Sequence, residues 1–274
     1  MRMTTDKGAA FRALHQKGNP FILANAWDAG SAKMLAALGA EAIGTSSSAH
    51  AFTLGRPDMG QVGRSEALDH ARLLVEATDL PVSGDFENGF EASPEGVAET
   101  VRLSFEAGHA VVSIEDTDLP GTGAYPRDLA TACIVAAVEA ARALPGDFVL
   151  VARADGVLNR TYDMAEARAR MEAFDATGAD CLYVPYPPAF DDIEALCAET
   201  DTPVNALAVG KYAKLSRADF AAAGVARISL GSALARVAQQ SLINAAQPML
   251  ETGDFSGLLS GARGDIVDRM LTDT

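Results

Sequence analysis

Short runs rich in Val, Ile and Leu recur along the chain. Each is followed by polar or glycine-rich residues and then by an alanine-rich stretch with helical spacing of its apolar positions. Eight such runs predict strands at 21–25, 41–45, 82–84, 110–114, 148–152, 180–184, 204–207 and 226–230. Helices are expected near 29–38, 64–77, 94–108, 127–144, 163–177, 190–199, 215–223 and 232–250. Ser93 ahead of Pro94, and Ser216 three residues before Asp219, read as helix starts. Gly39, Gly108, Gly178 and Gly224 each separate a helix from the next strand.

Eight βα units in about 250 residues predict an α/β fold, a (β/α)8 TIM barrel, in preference to an open doubly wound sheet. The first strand is not followed by G-x-G-x-x-G, which weakens a dinucleotide-binding reading. No linker divides the chain. Residues 1–250 are expected to form a single barrel domain, with 251–274 as a C-terminal appendage.

Composition narrows the function classes. A formal charge of −15 gives no basic patch for phosphate backbones, so no nucleic-acid partner is expected. Any anion site must rely on local Arg, backbone N–H groups or a metal. No apolar signal-peptide core follows the basic residues near the N-terminus, and no segment approaches eighteen unbroken apolar residues. A cytoplasmic protein with no membrane partner is expected. Cys133, Cys181 and Cys197 lack metal-ligand spacing and are expected to be buried thiols.

In such a barrel, catalytic residues collect where the strands end. The polar residues of this sequence fall there. Trp27 and Asp28 follow the first strand, and Ser46, Ser47, Ser48 and later Asp58 follow the second. Asp85, Glu87 and Asn88 follow the third, Glu115 and Asp116 the fourth, and Arg153 and Asp155 the fifth. Asn205, Arg227 and Ser229 lie on the last two strands, either closing the far side of a pocket or satisfying one another inside the barrel. One acid at a strand end is ordinarily a helix cap. Three converging acids, Asp85, Glu87 and Glu115, repel unless a cation sits among them. Oxygen ligands without Cys or His favour Mg2+ or Mn2+.

The segments "ANAWDAGSAKML", "GTSSSAHAFTLGRPD", "GDFENGF", "VSIED" and "VARADG", in this order, resemble the isocitrate lyase/phosphoenolpyruvate mutase superfamily over roughly residues 8–250. The resemblance implies a barrel that binds Mg2+ through Asp85, Glu87 and Glu115, largely by way of waters, with Asp58 near those waters. It also implies a small anionic 2-oxo or 2-hydroxy carboxylate as ligand, contacted by Ser46, Ser47, Ser48 and Arg153. Homo-oligomers, dimers or tetramers, are implied as well, with a C-terminal helix packed on a neighbouring subunit.

The chain also departs from the family. After "VSIED" the lyases carry a catalytic cysteine and the mutases a lysine and asparagine, whereas "TDLPGTGAYPRDL" has no Cys, Lys, His or Asn. Gly44 stands where the mutases have an aromatic residue, and Tyr186 stands near the lyases' glutamate. A Tyr125 phenol on a mobile lid is one substitute proton donor, and Asn205 is a candidate substrate contact. The expected activity is a Mg2+-dependent carbon–carbon lyase or decarboxylase acting through a metal-stabilised enolate. The alternatives are C–P chemistry on phosphonopyruvate or phosphoenolpyruvate, and a non-catalytic 2-oxo acid binder.

Overall fold

The computed structural model describes residues 6–121 and 123–272. Eight parallel strands close into a barrel: β1 (Phe21–Asn25), β2 (Ile43–Gly44), β3 (Val82–Asp85), β4 (Val111–Glu115), then β7 (Val149–Arg153), β8 (Cys181–Tyr183), β9 (Val204–Leu207) and β10 (Arg227–Ser229), which pairs back onto β1. All eight predicted strands are present. The segment expected at 41–45 pairs over only two residues because Ser46 already caps a helix. Between β4 and β7, β5 (Thr117–Asp118) and β6 (Gly123–Ala124) form an antiparallel hairpin outside the barrel, which the sequence reading did not separate.

Helices wrap the barrel: α1 (Lys7–Leu14), α2 (Ala29–Ala37), α3 (Ser47–Thr53), α4 (Arg64–Ala77), α5 (Pro94–Glu106), α6 (Arg127–Arg142), α7 (Gly156–Asn159), α8 (Met164–Asp175), α9 (Phe190–Glu199), α10 (Arg217–Ala222), α11 (Ala233–Thr252) and α12 (Gly264–Thr272). The cap signals hold. The Ser93 hydroxyl accepts from Gly96 N, and Ser216 forms a reciprocal box with Asp219. Gly39, Gly108, Gly178 and Gly224 all take positive φ at helix ends, between 82° and 93°, where a Cβ would be strained.

α1 plugs the bottom of the barrel. Phe11, fully buried, meets Phe21 edge-on at 5.4 Å and His15 at 5.0 Å. Arg12 ties the plug to Asp147 and Asp180. The bottom is thus packed shut, and Phe11→Ala would cost roughly 3–5 kcal/mol. The opposite end stays open.

After α11 the chain runs through a short 3-10 turn, and α12 packs on this chain's own α2, with Lys33 Nζ donating to Leu271 O at 3.1 Å. α11 itself leaves Val237, Leu242, Ile243 and Leu250 more than half exposed. The three cysteines are free and buried, and burial pushes the Cys181 and Cys197 thiols up to about 11. No helix among the described residues is long and apolar enough to cross a membrane.

Candidate active site

A cavity of about 190 Å³ occupies the C-terminal mouth of the barrel, its wall drawn from β1, β2, β3, β4, β7, β8, β9 and β10. Of the residues expected from the sequence, Ser46, Ser47, Ser48, Asp58, Asp85 and Arg153 line it together. Strand alternation is the cause. Asp85, Arg153 and Ser229 sit at inward positions near strand ends, and the serines begin α3 directly after β2.

The serine segment is a helix start and not a loose turn. Ser46 Oγ accepts from Ala49 N as the cap of α3. Ser47 donates to Asp85 Oδ2 twice, from its N at 2.9 Å and from its hydroxyl at 3.0 Å. Asp85 N in turn donates to Thr45 Oγ1 at 2.7 Å. These bonds fix the rotamer of Asp85.

Arg153 is the electrostatic centre of the mouth. It grips Asp155 with Nε at 3.1 Å and Nη2 at 2.7 Å, donates from Nη1 to Asp85 Oδ1 at 2.7 Å, and lies 3.2 Å from Glu115 Oε2. The Tyr183 ring lies 5.3 Å from its guanidinium. Three acids therefore share one arginine. Burial, reinforced by Asp155, pushes Glu115 well above the usual carboxylate range, and burial raises Asp155 too.

Glu87 adjoins Asp85 on the other side, outside the cavity wall. Its φ is +48°, an uncommon conformation for a residue with a side chain. The turn lets Glu87 O accept from Glu115 N at 2.9 Å, while Oε1 accepts from Gly60 N at 3.0 Å and so anchors the loop that carries Asp58. Burial, with smaller additions from Asp85 and Asp58, raises the Glu87 carboxyl to about 7.

The donor set suits a hydrated hard cation: every candidate ligand is an oxygen, and the carboxylates outnumber the arginine that serves them. Among the described residues no three His, Cys, Asp or Glu side chains stand close enough to ligate one ion directly. Residues here would hold such an ion mainly through waters.

Glu87 and Glu115 flank the cavity without lining it, and Tyr125 and Asn205 are engaged elsewhere. Tyr125 is buried in the core beside β4, its hydroxyl accepting from Asn88 Nδ2 at 2.9 Å and its carbonyl accepting from Arg170 Nη2 at 2.8 Å. Arg170 is itself locked to Asp116 at 3.0 Å, so Tyr125 is held at the base of the hairpin. Asn205 does not line the cavity, and its amide is engaged by Arg227 Nε at 2.8 Å and Ser229 Oγ at 2.9 Å. His50 packs flat on His70, ring centroids 3.7 Å apart, away from the cavity.

Among the cavity residues that the sequence reading missed are Asn25 and Tyr183. Asn25 bridges β2 and the segment after β10, donating to Thr45 O at 2.7 Å and accepting from Leu230 N at 2.9 Å. It also explains Gly44, where a Cβ would meet Asn25 Nδ2 at 2.8 Å and Leu23 at 3.1 Å. Tyr183 lines the cavity with a phenol that burial raises to about 12. Its place at an inward position of β8, two residues after Cys181, was the available signal.

The model of the phosphoenolpyruvate phosphomutase family matches residues 11–250. The chain belongs to this family. Its relatives include named lyases of the wider isocitrate lyase/phosphoenolpyruvate mutase superfamily. An oxaloacetate decarboxylase of Chromohalobacter salexigens is 31% identical, over 81% of this chain and 78% of that protein. A 2,3-dimethylmalate lyase of Eubacterium barkeri is 31% identical, over 69% of this chain and 66% of that protein. The crystal structure of a candidate lyase/mutase from Burkholderia cenocepacia J2315 superimposes with a TM-score of 0.93 at 41% identity, covering 99% of this chain and 98% of that one. Within the family, this chain's loop after β4 is a hairpin free of Cys, Lys, His and Asn.

Proposed function

We propose that the protein is a divalent-cation-dependent lyase or decarboxylase that breaks a carbon–carbon bond in a small 2-oxo or 2-hydroxy diacid, oxaloacetate being the simplest case. The observation that carries this reading is the mouth itself. Asp85, fixed by two donors from Ser47, stands beside Arg153 on a cavity sized for a small acid. The relatives named oxaloacetate decarboxylase and 2,3-dimethylmalate lyase support the same class.

Asp85, with Glu87, Glu115 and Asp58 through waters, would hold Mg2+ or Mn2+, which would supply positive charge where negative charge develops on substrate oxygen. The chain's own residues do the rest. Hydroxyls of Ser46 and Ser48 offer hydrogen bonds to the substrate carboxylate, while that of Ser47 holds Asp85. Arg153, held by three acids, keeps its guanidinium in one orientation at the mouth. Tyr183 retains its proton at neutral pH and delivers it to the carbon left electron-rich when CO2 departs or when a 2-hydroxy diacid, its hydroxyl proton passing to water, releases a 2-oxo acid. Water reprotonates the phenol. Assembly with further copies of the chain accords with the apolar side chains that α11 leaves exposed.

C–P chemistry is the second reading, favoured by a 36% identical structure described as a candidate phosphonomutase. Proton and phosphorus NMR time courses test both. Protein and an Asp85→Ala control are incubated with Mg2+ and, in turn, oxaloacetate, 2-methylisocitrate, 2,3-dimethylmalate or phosphonopyruvate. A 2-oxo acid formed only by the intact protein is the expected result. Phosphate release or migration selects the second reading, and silence across the panel overturns both in favour of a binder.

A further inference from the structure

Two guanidiniums line the cavity, and they are in opposite electrostatic states. Arg153 at the rim is surrounded by Asp85, Glu115 and Asp155. Arg227 has no such company. Its Nε donates to the neutral amide of Asn205 at 2.8 Å, its Nη1 is buried with no hydrogen-bond partner, and the whole residue is 2% exposed. A buried cation without an acid is costly, and the cost is relieved when an anion arrives.

Strand register shows where Arg227 sits. Glu115, Arg153, Tyr183, Asn205, Arg227 and Phe21 are successive partners across β4, β7, β8, β9, β10 and β1. In a tilted barrel such a line descends from rim to floor, from Glu115 at the mouth to Phe21 on the α1 plug. Three steps of about 4.8 Å at a tilt of about 36° set Arg227 roughly 8 Å below Arg153. Ser83, Ser113 and Tyr183 line the cavity with it.

We propose that Arg227 is the receptor for a second acidic group of the substrate, which enters the barrel while the 2-oxo carboxylate end stays at the serines and Asp85. It is a specificity-determining residue that selects diacids over monoacids of the same length. The inference rests on the proposed function for the rim end of the ligand. It adds a separate site for the other end, because the rim arginine is already neutralised and the deep one is not. An acid–arginine contact away from water is among the stronger polar contacts a site can make.

The test is calorimetry with Mg2+ and two acids that differ only at the far end, 2-oxoglutarate and 2-oxopentanoate. The wild-type protein is expected to bind the diacid at least about tenfold more tightly. Arg227→Gln should erase that preference while leaving 2-oxopentanoate affinity within about twofold. Arg227→Lys, which keeps the charge and guards against misfolding, should retain part of it. A preference that survives in Arg227→Gln, or a wild-type protein that binds both acids equally, overturns the inference and leaves the proposed function standing. Binding of neither acid by the wild type overturns both.

Discussion

Arg153 Nη1 donates to Asp85 Oδ1 at 2.7 Å, so the acid expected to face a cation and the arginine expected to face the substrate hold each other. Ser47 takes the other carboxylate oxygen, leaving Asp85 fully engaged by protein. A cation bound at Asp85 would compete with Arg153 for the carboxylate and would free the guanidinium towards a ligand carboxylate.

Oxalate affinity should therefore rise about tenfold or more when Mg2+ is added. Asp85→Ala should remove that gain. Calorimetric titration of oxalate with and without Mg2+ measures it. Equal affinities would leave Asp85 as the counter-ion of Arg153 and take the cation out of the site.

Tyr183 and Tyr125 divide the proton-donor question. Tyr183→Phe should lower kcat by about 10²–10⁴-fold with oxalate binding unchanged, since the phenol lines the cavity. Tyr125→Phe should leave kcat unchanged and instead cost about 1–3 kcal/mol of stability, because Asn88 Nδ2 loses its acceptor. Steady-state kinetics and urea unfolding of the two variants separate the roles. Loss of turnover in Tyr125→Phe alone would return the donor to the hairpin.

Gly44 is fixed by crowding. Its missing Cβ would press on Asn25 Nδ2 at 2.8 Å and on two Leu23 atoms at 3.1 Å. Gly44→Ala should destabilise by about 1–3 kcal/mol and displace Asn25 from Thr45 O and Leu230 N. A shifted urea midpoint is expected, and an unshifted one would mean that the Asn25 bridge gives way freely.

Acid should loosen the plug. His15, half-buried beneath the barrel, has its pKa lowered from 6.5 to about 3, first by desolvation and then by the charge of Arg227. The folded protein keeps it neutral while the unfolded chain takes up a proton below about 6.5. The unfolded state then binds more protons, so stability falls as pH drops from about 6.5 towards about 3. At roughly 1.4 kcal/mol per pH unit, about 2 kcal/mol is lost by pH 5. Urea midpoints at pH 8 and pH 5 should converge in His15→Phe. Undiminished acid sensitivity would place the effect on a buried histidine such as His109, whose pKa burial lowers to about 4.

The eight strands were legible because each is an apolar run ended by a polar or glycine signal, a local property of the chain. The rim acids and serines were legible for the same reason. In a parallel barrel every strand end faces one mouth, so Ser46, Ser47, Ser48, Asp58, Asp85 and Arg153 had to share it once the strands were counted. α1 and α3 were not legible. α1 buries only Gly8 and Phe11, too thin an apolar face to announce a helix, and the serines that open α3 read equally well as a turn.

The sequence by itself determined the barrel, its open end and the residue types gathered there, since hydrophobic period and strand-end chemistry are written in neighbouring positions. Only the tertiary structure decided which charges neutralise which. Arg153 meets Asp85, Glu115 and Asp155 across strands 68, 38 and 2 residues apart along the chain. Tyr125 is drawn into the core by Arg170 and Asn88, and Arg227 is left without an acid. Such pairings depend on strand register and barrel tilt, which bring distant positions within a few ångströms, and no local pattern encodes them.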